Sequence, residues 1–136
     1  MNKQNFKIGD VKIGLNAGLF VIAGPCVIED LDSSLAIAKQ LLKISKISGV
    51  PIIFKASFDK ANRSSITSFR GPGLNKGLEI LDKVRNETGM AIVTDVHEPS
   101  QAKPVGQVVD CIQIPAFLCR QTDLLVACAK TEKSVS

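Results

Sequence analysis

Four short apolar runs, each followed by a stretch of helical periodicity, constrain this chain more than any other feature of its sequence. The apolar runs cover residues 19–23, 52–54, 90–94 and 109–114, and the helical patterns cover residues 32–48, 74–88, 100–105 and 122–130. Because the runs are too uniformly apolar to leave one face in water, the alternation predicts a parallel βα sheet. Two closures fit: a small open sheet, or about half of an eight-unit barrel of roughly 250 residues.

The segments around these units complete one predicted domain. Residues 6–13 alternate apolar and basic side chains around Gly9 and Asp10, which predicts a tight hairpin with a structural role. Asp32 is the predicted N-cap of the first helix, and Gly49 is its predicted end. With βα units over residues 19–131 and an atypical tail over residues 132–136, the 136 residues are long enough for a single domain.

The loop after the second apolar run concentrates positive charge. Five cations and one anion, Asp59, lie between positions 55 and 76, and this surplus of four equals the formal net charge of +4. The cations are Lys55, Lys60, Arg63, Arg70 and Lys76. Because ligands of α/β proteins bind at the carboxyl ends of strands, residues 52–73 are a candidate anion site, with a solvated lid as the alternative.

Polar side chains also follow the other apolar runs. Cys26 comes after Gly-Pro, where a thiolate binds a metal or attacks an electrophile unless the side chain only packs. Asp95 is a stronger candidate than His97, since it is expected at the active face, and the spacing around His97 matches no standard metal site. Gln113 and Arg120 flank the exit of the fourth run, where they could close over an anionic ligand.

Composition and motifs narrow the class of function. The chain has no Trp or Tyr and six Phe, which disfavours nucleic-acid binding despite the positive charge. It has no glycine fingerprint for a nucleotide, and no apolar segment long enough for export or for spanning a membrane. Its four cysteines form no CxxC pair. We therefore expect a cytoplasmic protein without disulfides, nucleotide cofactor or membrane partner.

Three motifs resemble one family closely. They are KASFDKANRSSITSFRGPG over residues 55–73, TDVHEP over residues 94–99 and QIPAFLCRQTDLL over residues 113–125. The chain is similar over about residues 6–131 to 3-deoxy-D-manno-octulosonate 8-phosphate synthase, a (β/α)8 TIM-barrel transferase of lipopolysaccharide sugar biosynthesis. That family condenses phosphoenolpyruvate with arabinose 5-phosphate and releases phosphate. The sister synthase of aromatic biosynthesis, the alternative, shows a Lys-Pro-Arg-Thr type motif at positions 60–63.

The resemblance implies a role for each candidate residue. Lys55 and Lys60 would contact phosphoenolpyruvate, and Asp95 would serve in catalysis with them. The remaining substrate-binding positions are Asn62, Arg63 and Ser64 for arabinose 5-phosphate, Gln113 and Ala116 for the phosphoenolpyruvate pocket, and Phe117 and Arg120, expected to reach an adjacent subunit's site. A complete chain of this family is expected to form a homo-oligomer.

Cys26 implies the metal-dependent branch of the family, in which a divalent metal positions or activates a water. The family's other ligands, a His, a Glu and an Asp, belong to a second half of the barrel that is not found in these 136 residues. We therefore expect an N-terminal half barrel that is inactive alone, with an open sheet edge and an exposed apolar interior. The alternatives are a non-catalytic half-barrel partner subunit and a phosphosugar-binding module.

Overall fold

The chain folds as a parallel sheet flanked by helices in a computed structural model, of which residues 5–136 are described. Residues 1–4 of the predicted domain lie outside the described residues. The strands are β1 (Asn5–Ile8), β2 (Val11–Gly14), β3 (Val21–Ala23), β4 (Ile52–Lys55), β5 (Ile92–Asp95), β6 (Cys111–Gln113) and β7 (Ser134–Val135). The helices are α1 (Leu31–Ser48), α2 (Leu74–Thr88), α3 (Pro99–Val108) and α4 (Thr122–Ala129), with a 3-10 turn at Ala116–Leu118.

The order of the strands favours one of the two predicted closures. β1 and β2 form the predicted antiparallel hairpin, and β3 to β7 form a five-stranded parallel sheet in chain order. An open doubly wound sheet reverses its strand order at a switch point, whereas a barrel adds each strand beside the previous one. The parallel α/β architecture is confirmed, and its consecutive order fits a TIM-barrel type of fold.

The helix ends follow the capping rules with one correction. The N-cap of α1 is Asp30, whose carboxylate accepts a 2.7 Å hydrogen bond from the Ser33 amide, so the prediction of Asp32 is wrong by two residues. Asp32 lies instead in the first turn, where its charge suits the helix dipole. Gly49 is confirmed as the C-cap, with a left-handed φ of 70°.

The hairpin covers one face of the sheet, which we call the hairpin face. Ile53, Val93 and Cys111 on this face are fully buried and pack with Ile8 of β1, whereas their strand neighbours such as Phe54 pack against the helices. Alternate residues of a strand point to opposite faces, so the apolar runs supply both cores. The expectation of an exposed apolar interior is wrong for these positions because the hairpin packs over them. It is confirmed at the edge strand β3, where Ile22, in register with Ile53, is 42% exposed.

The last residues extend the sheet. Ser134–Val135 pair in parallel with β6, the Ser136 amide donates to the Ile112 carbonyl at 3.0 Å, and the Ile114 amide donates to the Ser136 carbonyl at 2.9 Å. Residues 132–136 were predicted as an atypical tail beyond the βα units, and the structure corrects this. Their polar composition does not indicate a strand, but they pair with the buried strand β6.

Within residues 5–136, none of the helices is both long enough and apolar enough to cross a membrane.

Candidate active site

Strand alternation places polar side chains directly above the apolar part of the hairpin face. Lys55, Asp95 and Gln113 each stand two residues after Ile53, Val93 and Cys111, at the carboxyl ends of β4, β5 and β6. Asp95 is paired with Gln113 across the sheet. Three consecutive strands therefore present a cation, an anion and an amide at one edge.

A cleft of about 410 Å³ opens at this edge. Its lining residues are Lys55, Lys60, Ala61, Asn62, Asp95, His97, Gln113, Pro115, Ala116, Phe117 and Leu118. The structure thus brings together most of the residues singled out from the sequence, from the strand ends, the basic loop and the 3-10 turn. The other four predicted residues are exposed and lie outside the lining of this cleft; they are Cys26, Arg63, Ser64 and Arg120.

The two lysines of the cleft meet at one hydroxyl. Lys55 Nζ donates to Ser57 Oγ at 3.1 Å, and Lys60 Nζ donates to the same oxygen at 2.9 Å. Ser57 is fully buried. Ser57 is not among the site residues expected from the sequence, although its position two residues after Lys55 puts both side chains on one side of an extended backbone.

Burial acts on the charge of Lys55. Desolvation lowers the pKa of Lys55, the nearby Asp95 carboxylate opposes this change, and the Lys60 ammonium adds to it. The site therefore holds two cations close together in a partly dry environment. An anionic ligand bound between them would relieve their mutual repulsion.

Asp95, which is buried, and His97, which is largely buried, form a pair beside the lysines. His97 Nε2 lies 3.3 Å from Asp95 Oδ2, and the imidazole contacts the Phe58 ring edge to face at a centroid distance of 6.0 Å. Burial alone would raise the pKa of Asp95, but the side-chain hydrogen bonds of His97 and Ser57 and the Lys55 charge outweigh burial and lower the pKa to about 2. Asp95 is therefore ionised at neutral pH.

Each partner of this pair keeps one free polar atom. Asp95 Oδ1 and His97 Nδ1 are buried and have no hydrogen-bond partner among residues 5–136. Buried polar atoms are normally satisfied, so both atoms are available to a ligand or an ordered water. From the sequence, His97 is a weaker candidate than Asp95, because its sequence neighbours do not show that the imidazole lies against the carboxylate.

The basic loop is held in place by its own charges. Arg70 forms two hydrogen bonds with Asp59, at 2.8 Å and 2.5 Å, and the Lys60 amide donates to the Arg70 carbonyl at 2.7 Å. Lys76 lies 3.5 Å from Glu79 on α2. Of the five cations in this segment, Lys55, Lys60 and Arg63 thus have no carboxylate within salt-bridge distance among the described residues.

The described residues do not form a metal centre. Residues 5–136 contain no group of three or more His, Cys, Asp or Glu side chains placed to hold a metal ion. Cys26 is exposed, whereas Cys111 and Cys128 are buried. Burial raises the pKa of both the Cys111 and the Cys128 thiol, which keeps them unreactive. The metal chemistry expected from the resemblance has no complete ligand set among residues 5–136.

The sequence matches the DAHP synthetase I family over residues 1–136. The chain belongs to this family. It is 55% identical over 133 residues to a 2-dehydro-3-deoxyphosphooctonate aldolase of Syntrophotalea carbinolica, covering 98% of this chain and 48% of the relative. A protein of the same name from Koribacter versatilis is 56% identical over 133 residues, with the same two coverages.

A third relative carries the same name. The protein of Campylobacter jejuni subsp. doylei is 58% identical over 118 residues, covering 87% of this chain and 44% of the relative. Within the family, these three relatives, each more than half identical to the chain, are all 2-dehydro-3-deoxyphosphooctonate aldolases. It spans about half the length of the curated relatives it matches.

Proposed function

We propose that this chain supplies the phosphoenolpyruvate-binding part of an active site that condenses phosphoenolpyruvate with arabinose 5-phosphate. The observation that carries the proposal is the convergence of Lys55 and Lys60 on Ser57 within a cleft that also contains Asp95 and Gln113. Phosphoenolpyruvate has a phosphate and a carboxylate on three carbons, so it requires concentrated positive charge. Supporting the proposal, the relatives are named 2-dehydro-3-deoxyphosphooctonate aldolases.

The reaction forms a carbon–carbon bond between C3 of phosphoenolpyruvate and the sugar aldehyde carbon. Water adds to C2, and the C2–O bond to phosphate breaks as inorganic phosphate leaves. Lys55 and Lys60 bind the anionic groups of phosphoenolpyruvate and stabilise the charge that develops as phosphate departs. Asp95 accepts a hydrogen bond through its free Oδ1, either from a substrate hydroxyl or from the reacting water. Gln113 and Ala116 line the same pocket.

The sugar phosphate is assigned to the outer side of the cleft. Asn62 lines the cleft, while Arg63 and Ser64 are exposed on the loop beside it. We propose that these three residues bind arabinose 5-phosphate. Phe117, 92% exposed, and Arg120, also exposed, would complete the site of an adjacent subunit in a homo-oligomer.

The finer fold assignment is also part of the proposal. The five-stranded sheet would be the first part of an eight-unit barrel, with the βα units over residues 19–131 as its N-terminal half. Cys26 would be one ligand of a divalent metal whose other ligands come from outside these residues. The coverage of about half of each relative supports this arrangement.

The proposal can be tested with a chimera in which this chain replaces the matching region of the Syntrophotalea carbinolica relative, to which it is 55% identical. We expect phosphate release that requires both phosphoenolpyruvate and arabinose 5-phosphate. The sister synthase makes a seven-carbon product, so it must use a four-carbon aldose phosphate. Release with the four-carbon sugar at an equal or higher rate would favour that alternative and contradict the proposal.

Binding by the 136-residue chain itself provides a second test. We expect phosphoenolpyruvate to raise its thermal unfolding temperature more than inorganic phosphate does at equal concentration. The absence of both turnover in the chimera and stabilisation of the chain would refute the proposed function.

A further inference from the structure

Ser57 has an unusual environment for a buried serine. Its hydroxyl oxygen accepts hydrogen bonds from Lys55 Nζ and Lys60 Nζ, so the two ammonium nitrogens are no more than about 6 Å apart. A hydroxyl oxygen has two lone pairs and one proton. Both lone pairs are used here, and the hydroxyl proton serves the Asp95 carboxylate, whose pKa the Ser57 hydrogen bond helps to lower.

The backbone at Ser57 is fixed independently of this hydroxyl. The Ser57 carbonyl accepts from the Ile28 amide at 2.9 Å, and Ser57 forms a parallel bridge with Val27. Its Cα position is therefore set by the sheet end that joins β3 and β4. The side-chain oxygen adds nothing to that backbone pairing, and its hydrogen-bond donors within the chain are the two lysines.

Electrostatics explains why such a hydroxyl matters. Lys55 and Lys60 carry like charges, and without a shared acceptor their flexible side chains would separate to reduce repulsion. Ligand binding would then have to restore the close arrangement, at a cost in side-chain entropy. A shared acceptor removes that cost before the ligand arrives.

We propose that Ser57 is a positioning residue that holds Lys55 and Lys60 as a preorganised pair for one anionic group of phosphoenolpyruvate. This inference rests on the proposed function of the cleft. Ser57 acts through the lysines, and the two ammonium groups make the contact with the anion. The selectivity follows directly: loss of the hydroxyl weakens phosphoenolpyruvate binding and leaves sugar phosphate binding nearly unchanged.

The test compares three variants of Ser57 in the chimera. Ser57→Ala removes the acceptor, Ser57→Cys keeps most of the volume with a weak acceptor, and Ser57→Thr keeps the oxygen. We expect KM for phosphoenolpyruvate to rise roughly tenfold in the Ala and Cys variants, since hydrogen bonds of charged groups are worth at least this factor. The Thr variant should recover most of the loss, and KM for arabinose 5-phosphate should change less than about twofold in all three.

Ser34→Ala is a matched control. Ser34 is also a buried serine, its hydroxyl donates to the Asp30 carbonyl at 2.6 Å, and neither residue lines the cleft. This variant should lower thermal stability without changing KM for phosphoenolpyruvate. A purely structural role for Ser57 would produce the same result in Ser57→Ala.

The possible outcomes separate the inference from the proposed function. An active wild-type chimera with unchanged KM for phosphoenolpyruvate in Ser57→Ala, or with equal rises in both KM values, overturns the role of Ser57 alone. If a Ser57 variant does not fold in the chimera, the thermal unfolding temperature of the 136-residue chain is measured with and without phosphoenolpyruvate. Ser57→Cys must then lose most of the increase in unfolding temperature that phosphoenolpyruvate produces in the wild-type chain. A wild-type protein that neither turns over nor binds phosphoenolpyruvate overturns both.

Discussion

The hairpin face has an apolar end and a charged end that are only two residues apart along each strand. At the amino end, Ile53 and Val93 are fully buried beneath Ile8 of the hairpin. At the carboxyl end, Lys55 and Asp95 line an open cleft. A dry, packed layer beneath a charged cleft limits the access of water from below, and charges above it interact more strongly than they would in bulk water. The hairpin therefore contributes to the site although none of its residues lines the cleft.

A substitution at the apolar end is expected to have the largest effect on the free energy of unfolding. Ile8→Asp would place an unpaired carboxylate among buried apolar side chains, which we expect to cost about 4 kcal/mol of unfolding free energy. Urea unfolding of the 136-residue chain measures this cost. Ile47→Asp is the control, because Ile47 is 76% exposed on α1, and its effect should stay below about 0.5 kcal/mol. Equal effects of the two changes would show that the hairpin does not seal the sheet.

The boundary between the two ends depends on a close approach of strands. A Cβ added at Gly24 would lie 1.9 Å from the Lys55 carbonyl oxygen, so the chain after β3 and the end of β4 would have to separate. We expect Gly24→Ala to cost about 3 kcal/mol of stability and to weaken phosphoenolpyruvate binding together with it.

Gly18→Ala is the matched control for this substitution, because a Cβ there meets no atom within 4 Å. Retained stability and binding in Gly24→Ala would mean that the strands can part without moving Lys55.

The charged end is tested by removing one ammonium. Lys60→Ala in the chimera should lower kcat/KM for phosphoenolpyruvate about 100-fold, or about 2.7 kcal/mol, because it removes a charge from the anion site. Lys76→Ala removes a charge from the same segment of sequence, but Lys76 lies near Glu79 on α2. This control should change kcat/KM less than about threefold. Similar losses in both variants would indicate a general attraction of anions by the loop.

The smallest expected effect is the pH dependence of stability. The pKa of Asp95 is lowered from 3.8 to about 2, so the folded state binds its proton less readily than the unfolded state does. The resulting stabilisation, about 2 kcal/mol, is present above pH 4 and is lost as the pH falls toward 2.

Urea unfolding of the wild-type chain and of Asp95→Asn, at pH 6 and at pH 2.5, measures this pH-dependent stabilisation. The variant should lose less stability between the two pH values than the wild type. Asp82→Asn, at an exposed position on α2, should behave as the wild type does. Parallel losses in the wild type and Asp95→Asn would argue against stabilisation of the Asp95 carboxylate by His97, Ser57 and Lys55.

The sequence was a good guide wherever one local pattern decides the outcome. Alternating apolar runs and helical periods predicted the hairpin, four helices and a parallel sheet, because side-chain periodicity and burial are set locally. Helix starts were less certain. Asp30 and Asp32 are both acceptable caps by type, and only the backbone geometry that brings the Ser33 amide to Asp30 decides between them.

The strand at Ser134–Val135 could not be predicted from its own residues. Residues 132–136 are one glutamate, one lysine, two serines and one valine, a composition with little strand preference. The segment pairs with β6 because of the position of that buried strand. The burial of the apolar interior likewise depends on where the hairpin docks. Contacts between segments distant in sequence decided both points.

The sequence by itself determined that positive charge gathers in residues 52–73 and that polar groups follow each apolar strand, because composition and strand period are properties of the chain. Only the tertiary structure decided which of these groups act together. It paired Arg70 with Asp59, brought His97 against Asp95, and joined two lysines at Ser57. The physical reason is that hydrogen bonds and ion pairs depend on distances of about 3 Å, which the folded backbone sets and a linear pattern of residue types does not.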